Sequence, residues 1–224
     1  MKAEEYFDLH KFDNLLLTQI NSTLQKGSAY SAFMGLSSSV ILSIMQYTGM
    51  INNMEAPILW TIIGGIFSVI VSVMAKHRLV KGLIIYFIAA AFVTLPSTIF
   101  ILAWFFVPGG PATYVTGPAS YLYFFTIAVC GLSFDSKVAA LAGLLAAIEY
   151  TLVCILSFPT LSKISHPDIL FLQDLTSPPI YYFKSMMMLF TGLVVGVLAT
   201  TAKKLMAQML KEESEKSAIS KLFG

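Results

Sequence analysis

Six continuous apolar runs dominate this chain, at residues 30–47, 58–75, 83–107, 119–134, 138–158 and 180–201. Each approaches or exceeds the ~20 mostly apolar residues that a helix needs to cross a bilayer. They are unbroken rather than alternating, which excludes the ~10-residue alternating strands of a membrane β-barrel. The chain is 57% hydrophobic and only 12% charged, against about 25% charged residues in soluble domains. The expected fold class is therefore all-α, a polytopic membrane protein with six transmembrane helices, an N-terminal interfacial helix and a C-terminal coiled-coil-like helix. Its expected parts are an amphipathic segment at 1–28, a membrane domain at 29–201 and a helical transducer at 202–224.

Basic charge alternates between the loops. Lys2, Lys11 and Lys26 precede the first run, Lys76, Arg78 and Lys81 follow the second, Lys137 follows the fourth, and Lys203, Lys204 and Lys211 follow the sixth. The opposite loops hold only Lys163, with Lys184 just inside run six. The positive-inside rule places both termini in the cytoplasm, with the chain expected in the cell inner (plasma) membrane. Residues 4–25 carry Phe7, Leu15, Ile20 and Leu24 on one broad face and are expected to lie at the inner membrane surface. A signal peptide is not expected, because residues 1–26 are polar and acidic and hold no apolar core of the required kind. A net charge of +2 gives no reason to expect nucleic acid as a partner. Cys130 and Cys154 fall in different runs and make an unlikely disulfide pair.

The sixth run passes into Lys203 and Lys204 with no proline or glycine break. Beyond it, Leu198, Ala202, Leu205, Met209, Glu212, Lys216, Ile219 and Phe223 fall at alternating spacings of four and three. That is the a/d seam of a parallel coiled coil, with a polar gap at Glu212 and Lys216. Gly192 and Gly196, four residues apart just upstream, have the spacing that lets two membrane helices approach closely. Gly192, Gly196, Leu205, Met209, Ile219 and Phe223 are thus the expected dimerisation residues, and a homodimer in the lipid bilayer is the expected assembly.

Candidate input residues are few. Glu149 lies near the middle of run five, where an ionisable group costs ~2.5–3.5 kcal/mol on insertion scales and usually faces a bundle interior or a wet cavity. It either belongs to an input site or bonds a neighbouring Ser, Thr or Tyr and fixes packing. Glu55 sits in a loop at the opposite face. His166, Asp168 and Asp174 lie in the long loop 159–179 and, with Glu55, are candidates to hold zinc or another divalent cation. Asp168 also has a local role open to it, in the first turn of a short helix capped by Ser165. Pro96 is expected to kink run three, with Thr94, Ser97 and Thr98 satisfying backbone groups nearby.

Six spans, a short polar exit helix and the ending Leu222-Phe223-Gly224 resemble the membrane anchors of bacterial class III adenylate cyclases. In many of those proteins a similar tripeptide stands just before the catalytic domain. The resemblance implies a homodimer whose catalytic domains convert ATP to cyclic AMP and pyrophosphate with Mg or Mn, and a cation bound near the outer face of the anchor. None of the catalytic residues is in this chain. Alternatives with the same topology are the sensor module of a histidine kinase or diguanylate cyclase, and a small transporter subunit. The ligand itself, a small molecule or cation from outside, has no sequence signature.

Overall fold

The computed structural model describes residues 9–164 and 176–223, with side chains described within 14–209 outside 118 and 164–175, and at Glu212. The order of helices is α1 (Leu9–Tyr47), α2 (Glu55–Lys76), α3 (Leu83–Phe106), a single turn α4 (Ala112–Val115), α5 (Leu122–Cys130), α6 (Ser136–Ile164) and α7 (Pro178–Phe223). Short 3-10 turns, Pro118–Tyr121 and Gly131–Ser133, flank α5. Among the described residues, five helices are long and apolar enough to cross a membrane: those containing Asn14–Tyr47, Glu55–Lys76, Leu83–Phe106, Ser136–Lys163 and Pro178–Met209. The chain is an all-helical protein built for several membrane crossings.

Two of the expected boundaries differ. Residues 9–28 are not a helix separate from the first span, because α1 runs as one helix of 39 residues, about 58 Å long. Gly27 does not break it, and Ser28 donates its hydroxyl proton to the Leu24 carbonyl within the helix. The fourth expected run is not a regular span either. It is the composite stretch Ala119–Ser133, only nine residues of which are α-helical. Helix α6 also continues through Pro159 to Ile164, where Leu161 is buried and Phe158 packs edge-on against Tyr181 of α7.

Two tightly packed hairpins, α1–α2 and α6–α7, are joined through α3, which packs against both α2 and α6, while α4 and α5 pack on α6. Lipid supplies no hydrophobic drive for helix association, so close backbone approach is what small residues provide here. In the first hairpin Gly35 faces Gly65, and a Cβ on Gly35 would lie 3.1 Å from the Thr61 carbonyl. In the second, a Cβ on Gly192 would lie 2.6 Å from Gly143 Cα, and one on Gly196 would lie 3.0 Å from the Ser136 carbonyl. Ser185 Oγ donates to the Ala147 carbonyl at 2.7 Å and lies 2.6 Å from Thr151 Oγ1, which sets the register. Beside Pro96 in α3, the Leu95 carbonyl accepts from Thr98 at 2.7 Å and from the Trp60 indole at 2.8 Å, tying α2 to α3.

At the basic end of the bundle, α1 and α7 extend past the other helices and touch. Leu16 and Ile20 of α1 are buried with Leu24, Phe134, Met206 and Ala207 around them. The turn before α6 is shaped for this contact. Phe134 adopts φ +53°, an uncommon conformation for a bulky residue. Asp135 then caps α6 by accepting the Lys137 amide at 2.8 Å.

Forcing a methyl group into the Gly143–Gly192 contact overpacks it. Gly192→Ala is expected to cost about 1–3 kcal/mol, read as a lower unfolding temperature in detergent, whereas Gly27→Ala, with nothing within 4 Å of the added carbon, raises or preserves it.

Candidate functional site

Glu149 projects from the middle of α6 toward α3. Thr94 Oγ1 donates to Oε1 at 2.8 Å and Ser97 Oγ donates to Oε2. Ser97 is 2.6 Å from the Tyr123 hydroxyl on α5. A serine has one proton to give, so with Ser97 donating to Glu149 the Tyr123 hydroxyl donates to Ser97. The result is a directed chain, Tyr123 to Ser97 to Glu149, that crosses three helices. Thr94 has a second acceptor, the Ala90 carbonyl at 3.0 Å. Because each hydroxyl both donates and accepts, the same three groups can serve the carboxyl group as an acceptor alone or as a donor as well. The arrangement can therefore hold a proton, or receive a hydrogen-bonding ligand in place of one hydroxyl.

The site is built by the fold around it. Pro96 and Ser97 are buried in α3 and Tyr123 is fully buried, stacked at 6.3 Å on Phe100 and edge-on at 5.9 Å to Tyr150. Glu149 itself is half-buried and Thr94 is exposed, so the site lies toward the edge of the α3–α6 contact.

The other expected site residues are placed elsewhere. Glu55 lies at the start of α2, where Gln46 Nε2 donates to it at 2.7 Å. Burial first, and the Glu55 carboxylate second, push the Tyr114 hydroxyl above its usual pKa. The hydrogen-bond partner of Glu55 is thus a different residue from those of Glu149. His166, Asp168 and Asp174 lie outside the described residues. Among the described residues no three His, Cys, Asp or Glu side chains come together as metal ligands.

The expected dimerisation residues divide. Gly192 and Gly196 are buried against α6 of the same chain. This corrects their assignment to a subunit contact, since the surface they would offer a partner is filled by Gly143 and Ser136. Leu205 and Met209, by contrast, are 55% and 69% exposed, in line with Leu198 at 62%. Met206 and Ala207, between them, turn toward α1. The helix of Ile219 and Phe223 is present, but their side chains lie outside the description.

Sequence reading passed over one feature. Lys184 in α7 is half-buried between two tyrosine rings, 5.6 Å from the centroid of Tyr121 and 5.7 Å from that of Tyr181. Cation–π contact lets its aliphatic stem stay among apolar groups while the ammonium is stabilised. Tyr121 and Tyr181 look like ordinary interfacial aromatics in the sequence; only their convergence on one lysine gives them a role.

The sequence matches no protein-family profile, no curated protein and no solved structure.

Two outcomes follow. Glu149→Leu removes the acceptor for Ser97 and Thr94, and is expected to destabilise the protein by about 1–3 kcal/mol in detergent unfolding, more than Glu149→Gln, which keeps hydrogen-bonding capacity. Glu55→Gln removes a neighbouring negative charge, so the Tyr114 titration midpoint moves down, read by NMR of labelled tyrosine.

Proposed function

We propose that this chain is the membrane domain of a class III adenylate cyclase, a homodimeric anchor and receptor that biases the geometry of two catalytic domains. Both termini are cytoplasmic in this reading, following the basic residues at one end of the bundle. Residues 118–133 supply the sixth crossing. Their seven 3-10 residues rise farther per residue than α-helix, so the stretch reaches about 27 Å, close to the hydrocarbon thickness of about 30 Å. The catalytic domains, with ATP and Mg or Mn, lie outside this chain.

The observation that carries the reading is α7. It is one helix of 46 residues, about 69 Å long, joining the end near Lys184 to the end beyond the basic residues. Its glycine face is locked to α6, its Met206 and Ala207 face rests on α1, and its Leu198, Leu205 and Met209 edge is exposed. A helix held on two sides inside its own subunit and apolar on the third suits a dimer contact that moves with the bundle. Glu149, joined to α3 and α5 by hydrogen bonds, supplies the polar group by which an input changes that bundle. A ligand shifts such an equilibrium only through different affinities for its two states, and a ligand bonded to Glu149 in place of Thr94 or Ser97 supplies that difference.

The coding sequence downstream of Gly224 tests the enzyme class: a class III cyclase domain is expected, and a kinase domain, a diguanylate cyclase domain or a stop codon overturns it. In the full-length protein, Glu149→Gln is expected to change the ratio of stimulated to basal cyclic AMP formation at least about twofold, a shift of only ~0.4 kcal/mol in the two-state balance. An unchanged ratio would remove Glu149 from the input site.

A further inference from the structure

A cavity of about 250 Å³ lies between the α1–α2 hairpin and helices α3, α5 and α6, on the basic side of the bundle. Its walls are Phe67, Phe92, Phe125, Val129 and other apolar side chains, and no charged residue lines it. Its few hydroxyls are largely engaged with the protein: Ser28 with the Leu24 carbonyl, and Ser68 with Ser31 at 3.2 Å. Apolar cavities do not hold water, and one of about 150 Å³ takes a benzene ring. The larger volume here suits a flexible chain on the order of eight to ten methylenes.

The cavity is not sealed. Phe125 and Leu132, both in its lining, are 63% and 49% exposed, so it opens along α5 to the bilayer. At its basic end the lining includes Val80, in the turn that carries Arg78 and Lys81. Both cations are exposed, and neither lines the cavity. The chemistry is thus divided, with hydrocarbon walls inside and, at the basic end, two exposed cations on either side of the buried Val80 in the sequence.

We propose that this cavity binds the chain of a free long-chain fatty acid, which enters from the leaflet at the basic end and leaves its carboxylate at the membrane surface beside Arg78 and Lys81. The narrow apolar interior takes one chain, and the cations favour an anionic head over a zwitterionic one. Occupancy has a route to the output helix. Ile20 and Leu24 line the cavity and also belong to the cluster with Met206 and Ala207 of α7. Displacing α1 by a bound chain changes that contact. Binding does not depend on the proposed function; its regulatory meaning rests on that reading.

The test uses the full chain in phosphatidylcholine nanodiscs, with a palmitate analogue carrying a diazirine on its hydrocarbon chain, photolysed and mapped by peptide mass spectrometry. Label is expected at Phe67, Phe92, Phe125 or Val129 and is displaced by unlabelled palmitate. Gly27 lines the cavity and has nothing within 4 Å of an added Cβ, so Gly27→Leu narrows the cavity and also raises helix propensity. It is expected to cut the labelling roughly tenfold, the change given by ~1.4 kcal/mol. Gly64→Leu, equally free of neighbours and outside the lining, leaves labelling unchanged. Label spread over the outward-facing Phe33, Ile44 and Phe105, or insensitive to Gly27→Leu, would show lipid contact without a site and overturn the proposal. Cavity label from a diazirine-bearing phosphatidylcholine that palmitate does not displace would overturn it too. Either result leaves the cyclase assignment standing, because no step of the measurement uses enzyme output.

Discussion

Helices α6 and α7 meet where neither has a side chain. Gly143 and Gly192 bring the two backbones together so closely that a Cβ on Gly192 would sit 2.6 Å from Gly143 Cα. Within a bilayer such contact rests on dispersion and on hydrogen bonds between helices rather than on exclusion of water. Here Ser185, bonded to the Ala147 carbonyl and beside Thr151, adds the polar part. Once that register is set, the direction of every other face follows. Glu149 turns toward α3, Tyr150 toward α5, and the edge of α7 bearing Leu198, Leu205 and Met209 turns away from the subunit.

The second dependency runs through α1. As a single helix it carries the packing of the first hairpin in one half, at Gly35, and the contact with α7 in the other, at Leu16 and Ile20. Asn21 pins it between these regions by donating to the Val80 carbonyl at 3.1 Å in a buried setting. The lipid-facing cavity lies beside the same stretch of α1. Helix α7 thus packs on α6, which carries Glu149, and on α1, which lines the cavity.

Much of this was legible in the residues. The all-helical membrane character follows from six apolar runs, and the depth of Glu149 was evident from its place within run five. Its bonding to Ser and Thr neighbours was one of two readings the sequence left open. Which hydroxyls would reach it was not evident, because Thr94 and Ser97 lie on α3, and Tyr123 behind Ser97 on α5, and only packing brings these helices to α6. The glycine pair misled for a related reason. Gly192 and Gly196 have the same spacing whether they face a second subunit or α6, and the matching glycine, Gly143, has no spacing signal of its own. Composition also hid the irregular stretch at 118–133, since hydropathy responds to apolar content and not to the 3-10 turns that Pro118 and Gly131 introduce at its ends.

The central claim is that α7 offers one apolar edge to a second copy while its other faces are held inside the subunit. Single cysteines placed at each position from 201 to 209, in a background with Cys130 and Cys154 replaced by serine or alanine, test it through oxidative crosslinking in native membranes. Crosslinked dimer should peak at Leu205 and Met209 and fall to a minimum at Met206 and Ala207, which rest on α1. A flat profile, or a maximum at Met206 or Ala207, would contradict the account.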